Sequence, residues 1–201
     1  MYRLSLSKLV LLVAIVSSAS GQATQQDEVL DIGDMPLGGD FTLHSSQGEF
    51  SLEQLRGQVV LLFFGYTKCP DVCPTSLAFL TQALNELTDD ELKSVQGVFI
   101  SVDPKRDSYE VLDEYVDYFH TNLIGVTGSE KEVAAVAKLY GAQYYEVALE
   151  GSAFGYAVNH SAVTYLITPE GILRFVFPHE TPPSVILEAI RHVLSGNQPV
   201  G

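Results

Sequence analysis

The 201-residue sequence is poor in basic residues, in cysteine and in long apolar segments. Eleven lysines and arginines stand against 25 acidic residues, so the formal net charge is −14. This charge argues against nucleic-acid binding, which requires clustered basic side chains. After the N-terminal region, no segment is apolar enough to cross a membrane. The sequence therefore indicates one acidic domain, suited to meeting cations or a basic protein surface.

The N-terminal region has the layout of a signal peptide, which we predict for residues 1–21. Arg3 and Lys8 form its positive segment, residues 9–16 form a short apolar core, and small residues follow at 17–21. The core is too short to span a bilayer, which needs about 20 residues. We therefore expect export to the periplasm or another extracytoplasmic compartment. We expect the protein to be soluble there if the leader is cleaved, and anchored to the inner membrane if it is not.

The rest of the chain predicts one α/β domain at 41–195, between a flexible lead-in at 22–40 and a tail at 196–201. A hairpin is predicted at 41–52, and apolar strands and amphipathic helices follow it. The strands are predicted at 59–64, 97–102, 123–126, 143–147, 162–167 and 172–177, and the helices at 74–87, 108–120, 129–140 and 181–194. This order is typical of a central mixed sheet with helices packed on it.

The only two cysteines, Cys69 and Cys73, lie between the first apolar strand and the helix that we expect to begin at Pro74. On a helical turn this C-x-x-x-C spacing puts both sulfurs on one face, where they can close a disulfide or clamp one soft metal ion. A structural disulfide is an inefficient use of the pair, because so short a loop gains little stabilisation. A helix N-terminus lowers the pKa of a nearby thiol, so we expect Cys73 to form a reactive thiolate. Cysteines placed in this way suggest a thioredoxin-like arrangement.

A third metal ligand is expected from one of the five histidines. We predict His160, on a glycine-rich loop that enters the strand at 162–167, with His179 as a second candidate. The remaining histidines fit structural or solvated positions: His44, His120 and His192. Two thiolates and one imidazole suit Cu(I), or Cu(II) with a water, and suit Zn(II) less well without a fourth ligand. Met35 is the only methionine after Met1, so a methionine-rich copper platform is absent.

Three segments, taken in order, resemble the Sco/SenC family. They are 63–74, which contains both cysteines, 99–107, which contains Asp-Pro-Lys-Arg-Asp, and 160–167, which begins with His-Ser. The resemblance extends over 41–194. It implies a thioredoxin-like fold with a central mixed sheet, an N-terminal β-hairpin and an inserted hairpin or loop near the metal site.

The resemblance also implies that Cys69, Cys73 and His160 hold one copper ion per chain, as Cu(I) or Cu(II). It implies assembly of the binuclear copper centre of cytochrome c oxidase, whose copper-acceptor subunit would be the partner. Another exported copper chaperone or a thiol reductant is a second class of partner. Nucleic acid is not expected as a partner, and membrane contact is expected only through the acceptor or an uncleaved leader.

Three further residues are predicted to lie around the ligands. Asp71, between the cysteines, is either a solvated turn residue or a charge that favours a bound cation. Asp103 ends a core strand and matches the family motif, and it is either a residue at the edge of the site or the cap of a turn with Pro104. Asn159 stands where the family usually has aspartate, so a negative charge beside the imidazole is missing. The loop at 105–107 is expected to be solvated or to form a docking surface.

The leading functional prediction is an exported metallochaperone, rather than an enzyme in the strict sense, that passes copper on by ligand exchange. The alternative is an exported thiol–disulfide oxidoreductase that keeps the acceptor's cysteines reduced, with Cys69 or Cys73 attacking a disulfide. A thiol peroxidase or redox sensor is a third use of such a pair. His160 separates the first two functions, because dithiol exchange does not need it.

Overall fold

A six-stranded mixed sheet forms the centre of the structure, a computed structural model that describes residues 30–31, 37–151 and 155–196. The predicted signal peptide, most of the lead-in and most of the tail lie outside the described residues. Within the described ranges, no helix has the length and apolar character needed to cross a membrane.

Ten strands and five α-helices are described. The strands are β1 (Leu30–Asp31), β2 (Thr42–Ser45), β3 (Gly48–Ser51), β4 (Val59–Gly65), β5 (Val95–Ser101), β6 (Leu123–Val126), β7 (Tyr144–Ala148), β8 (Tyr156–His160), β9 (Thr164–Ile167) and β10 (Leu173–Phe177). The helices are α1 (Val72–Asn85), α2 (Asp89–Leu92), α3 (Tyr109–Asp117), α4 (Glu130–Leu139) and α5 (Pro183–Leu194), and a 3₁₀ turn covers Leu52–Leu55.

The central strands β4, β5 and β6 run parallel, because helical crossovers connect them. Strands β9, β10 and β1 complete the sheet by antiparallel pairing, and the strand order is β1-β10-β9-β4-β5-β6. Every residue of β4 is buried, as expected for a strand covered on both faces. The predicted mixed sheet, the N-terminal hairpin β2–β3 and an inserted hairpin, β7–β8, are therefore confirmed.

The two faces of the sheet carry different aromatic clusters, because consecutive strand residues point to opposite faces. Phe63 stacks on Phe99 with ring centroids 6.2 Å apart, and Phe99 meets Tyr115 of α3. Phe64 packs instead against Tyr140, at the end of α4. Helices α3 and α4 therefore cover opposite faces of the sheet.

Four elements differ from the sequence prediction. Helix α1 begins at Val72 rather than at Pro74, so Cys73 lies inside the helix. Residues 156–160 were expected in a loop but form β8, because pairing with β7 satisfies their backbone hydrogen bonds. Strand β1 lies within the lead-in predicted to be flexible, and it forms an edge of the sheet by pairing with β10. The short helix α2, which a capping box at Thr88 opens, was not predicted.

Candidate metal centre

Cys69 and Cys73 lie where the carboxyl end of β4 turns into α1. Cys69 is in the turn, where its N–H donates to the carbonyl of Tyr66 at 3.2 Å, and Cys73 is in the first turn of α1. The Cys73 N–H donates to Cys69 Sγ at 3.4 Å, which holds the two sulfurs on one side of the turn. Both are free thiols, and their exposed fractions are only 7% and 0%. The protein therefore buries a dithiol at the carboxyl ends of the sheet strands, where α/β folds place their functional sites.

His160 joins the two cysteines from the end of β8. Its Nε2 lies 3.3 Å from Cys73 Sγ and 3.9 Å from Cys69 Sγ, and the three candidate ligand atoms all lie within 4.8 Å of one another. Among the described residues, this is the only group of three or more histidine, cysteine or acidic side chains that could share a metal ion. His179 does not join it, because its Nδ1 lies 3.0 Å from the Ser76 hydroxyl. The structure thus brings together the three residues predicted as ligands.

The orientation of His160 leaves Nε2 free to bind a metal. Its Nδ1 lies 3.2 Å from the carbonyl of Ser161, and a carbonyl can only accept, so Nδ1 carries the proton. This tautomer presents the Nε2 lone pair to the sulfurs. The rings of Phe63 and Tyr66 meet the imidazole edge to face, with centroids 6.0 and 5.9 Å away. These contacts provide the outer support that metal-binding histidines need.

The two thiols have opposite acidities. The hydrogen bond from the Cys73 side chain lowers the pKa of Cys69 to about 4, against the effect of burial. The lowered pKa expected for Cys73 at the helix N-terminus is wrong, because burial raises it, as does the neighbouring Cys69 thiolate. The metal-free pair is therefore one thiolate and one thiol at neutral pH. Binding of a metal by both sulfurs must release the Cys73 proton.

Gly65, the last residue of β4, was not singled out in the sequence, yet it shapes the site. A Cβ atom at this position would lie 2.7 Å from Cys73 Sγ and 2.8 Å from the Phe99 ring. Only a residue without a side chain leaves room for the Cys73 sulfur. A glycine that interrupts an apolar strand just before a cysteine turn is the signal that could have indicated this close approach.

The residues predicted around the ligands take three different positions. Asp71 is exposed, and its backbone amide, rather than its carboxylate, hydrogen-bonds to the sulfur of Cys69. The Asn159 side chain points away from the ligands and donates to the hydroxyl of Tyr145 at 2.9 Å. Asp103 is buried at 2% exposure and accepts a hydrogen bond from the hydroxyl of Tyr156 at 2.7 Å. None of the three side chains belongs to the group of ligand atoms.

The loop at 105–107 is only partly the solvated loop or docking surface that the sequence predicts. Asp107 is only 1% exposed, and the Arg106 side chain is only 19% exposed. Asp107 accepts a hydrogen bond from Thr67 beside the cysteines, and Arg106 donates one to the carbonyl of Tyr156 in the strand that ends at His160. These contacts are the reason for their burial. Lys105 keeps an exposed position.

An open groove of about 360 Å³ runs beside His160. Its walls include Val72 of α1, Tyr145 of β7 and Ala162 after β8. The groove gives a second molecule a route to the imidazole side of the site, whereas Cys73 is covered by the core.

The fold and the site define a class of protein: an α/β domain that gathers a dithiol and a histidine at a strand-to-helix turn. The family model described as SCO1/SenC matches residues 31–195. The chain therefore belongs to the SCO1/SenC family, which confirms the resemblance.

Relatives and solved structures agree with this assignment. The SCO2-like protein of Rickettsia felis is 37% identical over 156 residues, which are 77% of this chain and 76% of the relative. The crystal structure of Arabidopsis thaliana ScoI with copper bound is 35% identical, with a TM-score of 0.71 over 80% of this chain and 99% of that chain. BsSco, described as a Sco-family cytochrome c oxidase assembly protein with a disulfide switch, is 25% identical, with a TM-score of 0.62 over 81% of this chain and 98% of that chain. The predicted thioredoxin-like fold is confirmed by these neighbours.

Proposed function

We propose that the protein is an exported copper chaperone for cytochrome c oxidase. Cys69, Cys73 and His160 would hold one copper ion as cargo, and the copper-acceptor subunit of the oxidase would receive it. The observation that carries this proposal is the meeting of two thiols and one imidazole within 4.8 Å. The copper-bound ScoI structure supports the choice of metal, and the description of BsSco supports the choice of acceptor.

The chemistry of the three donors favours copper over zinc. Thiolate sulfur is a soft ligand that selects Cu(I), and imidazole also suits copper. A structural zinc site normally takes four protein ligands, and no fourth histidine, cysteine or acidic side chain joins this group among the described residues. The Ser161 carbonyl already fixes the His160 tautomer that a metal requires. The donor set therefore fits a three-coordinate Cu(I).

Release of copper requires that an acceptor ligand can reach the ion. The groove beside His160 supports such an approach, because it opens the imidazole side of the site to a partner. An incoming thiolate could replace one ligand at a time, so the copper would not pass through water. Cys73 has no exposed surface, so it would be the last ligand to dissociate from the copper ion.

Export is the part of the proposal that rests on the sequence. Residues 1–21 have the charge and hydropathy pattern of a signal peptide. A periplasmic or other extracytoplasmic location would place the protein where oxidising conditions act on a dithiol. Expression of the full chain, followed by N-terminal sequencing of the exported form, tests both the location and the cleavage.

Thiol–disulfide exchange is a second candidate function, and the low pKa of Cys69 favours it. The Cys69 thiolate would attack a disulfide of the acceptor, forming a mixed disulfide and releasing the acceptor's other sulfur as a thiolate. Cys73 would give its proton to that thiolate and attack the Cys69 sulfur, releasing a reduced acceptor and leaving a Cys69–Cys73 disulfide. A thiol reductant would then restore the dithiol. The disulfide switch described for BsSco supports this candidate.

The test is a competition assay for Cu(I) with the reduced protein and matched variants. We expect one tightly bound ion per chain, no tight binding after Cys69→Ser with Cys73→Ser, and a loss of about tenfold or more in affinity for His160→Ala. His179→Ala is the control, because this histidine is bonded to Ser76 outside the ligand group. If His160→Ala binds copper like the wild type while disulfide reduction persists, the chaperone proposal is wrong and the oxidoreductase takes its place.

A further inference from the structure

The two halves of the site come from segments that do not pair with each other. The cysteines belong to the turn between β4 and α1, whereas His160 ends the hairpin β7–β8, which forms a separate two-stranded sheet. The distance between the imidazole and the sulfurs therefore depends on whatever joins the hairpin to the domain. Loop 103–107, between β5 and α3, contacts both halves.

On the cysteine side, the contact is made by Asp107. Its carboxylate accepts hydrogen bonds from the Thr67 N–H at 2.9 Å and the Thr67 hydroxyl at 2.6 Å, and from the Ser101 hydroxyl at 2.6 Å. Thr67 lies just before Cys69 in the same turn. Asp107 thus ties the cysteine turn to the end of β5. Because Asp107 is buried, these bonds are not weakened by competition with water.

On the histidine side, the contacts are made by Arg106. Its Nη1 donates to the carbonyl of Tyr156 at 2.8 Å, and its guanidinium carbon lies 3.7 Å from the centre of the Tyr156 ring. Its Nε bonds to the carboxylate of Asp103, which also accepts a hydrogen bond from the Tyr156 hydroxyl at 2.7 Å. Tyr156 is the first residue of β8, the strand that ends at His160. Lys105 adds an exposed ion pair to Glu146 of β7 at 2.6 Å.

We infer that loop 103–107 clamps the two halves of the site together, and that Arg106 is a positioning residue that acts through His160. The copper part of this inference rests on the proposed function. The planar guanidinium suits this role. It can donate hydrogen bonds to the Asp103 carboxylate and to the Tyr156 carbonyl while it stacks on the Tyr156 ring. A lysine keeps the charge but has no planar fork, so it cannot make all three contacts at once.

The first experiment measures the clamp without metal, by hydrogen exchange of the reduced protein. Arg106→Gln is expected to speed exchange of the interstrand amides of β7 and β8 about tenfold or more, while amides of β4 and β5 stay protected. Arg191→Gln is the matched control. Arg191 also bonds a carboxylate, that of Glu91, and a backbone carbonyl, that of Glu86, but it does so at the far end of α1 from Cys73.

The second experiment measures Cu(I) affinity in a double-mutant cycle. Arg106→Gln is expected to weaken binding about 10- to 100-fold, as loss of an outer support of a ligand does. In a His160→Ala background the same change is expected to have no further effect, because the residue acts through His160. Arg106→Lys is expected to restore part of the affinity. Should Arg106→Gln fail to fold, Tyr156→Phe removes only the bond to Asp103 and is expected to act in the same direction.

Each outcome is decisive for one claim. Unchanged exchange in the hairpin, or equal acceleration over the whole domain, would overturn the clamp whatever the copper result. Equal losses of affinity with and without His160 would show that Arg106 does not act through it. If the wild type itself binds no copper, the proposed function fails, and the exchange measurement alone then decides whether the clamp exists.

Discussion

Gly65→Ala is expected to damage stability and copper binding together, because the added methyl group has no free space. Its Cβ would lie 2.7 Å from Cys73 Sγ, 2.8 Å from Phe99 and 3.0 Å from Phe63. Favourable contacts between such atoms need about 3.5–4.0 Å. All three neighbours are at most 1% exposed, so none can turn into solvent. Overpacking of this kind costs about 1–3 kcal/mol of the free energy of unfolding.

The same crowding is expected to move a ligand. Restoring an ordinary separation requires a shift of roughly 1 Å between the new methyl group and the Cys73 sulfur. Functional sites tolerate displacements of only about 0.5 Å, and Cys73 Sγ now lies 3.3 Å from His160 Nε2. We therefore expect Cu(I) affinity to fall about tenfold or more.

Urea unfolding of the reduced, metal-free protein and Cu(I) competition measure the two effects. Gly125→Ala in β6 is the control, because its Cβ would be equally crowded, 2.9 Å from Leu112 Cβ, but away from the ligands. This variant is expected to lose stability and keep its copper affinity. If Gly65→Ala unfolds at the wild-type urea concentration and binds copper as tightly, the packing described around Cys73 is wrong.

Two further predictions concern the core and the pH dependence of stability. Phe64→Ala removes a buried ring from the opposite sheet face, where it packs on Tyr140 and Tyr165, and is expected to cost about 3–5 kcal/mol in urea unfolding. Burial lowers the pKa of His120, whose Nδ1 accepts the Asn122 N–H at 2.9 Å. As the pH falls, the unfolded chain therefore binds a proton at His120 before the folded chain does. The free energy of unfolding is expected to decrease as the pH drops below about 6.5. A midpoint at or above about 6.5 in an NMR titration of His120 would contradict this.

The cysteine half of the site could be predicted from sequence because it is local. A strand, a turn and a helix N-terminus occupy neighbouring residues, and the C-x-x-x-C spacing alone puts Cys69 and Cys73 on one side. The first helical residue was misplaced, because Pro74 is a common N1 residue but here follows Val72 and Cys73 inside the first turn.

The histidine half could be named from sequence but not placed. His160 was expected on a loop, since the glycines at 151 and 155 suggest irregular backbone. The alternation in Tyr156, Val158 and His160, which turn inward, was the available strand signal. The role of Arg106 gave no such signal, because it depends on a ring and a carbonyl 50 residues away along the chain.

These two halves differ in what can break them. The cysteine pair is held by α1 and the core, so it is expected to persist as long as the sheet is folded. The histidine is held by a small hairpin, which loop 103–107 attaches to the domain together with the Tyr66 hydroxyl and the rings of Phe63 and Tyr66. A change in that loop is therefore expected to weaken the binding of copper by His160 and to leave a folded dithiol protein. Such a variant would keep the chemistry of an oxidoreductase while losing that of a copper chaperone, which makes Arg106 the position where the two proposed functions separate.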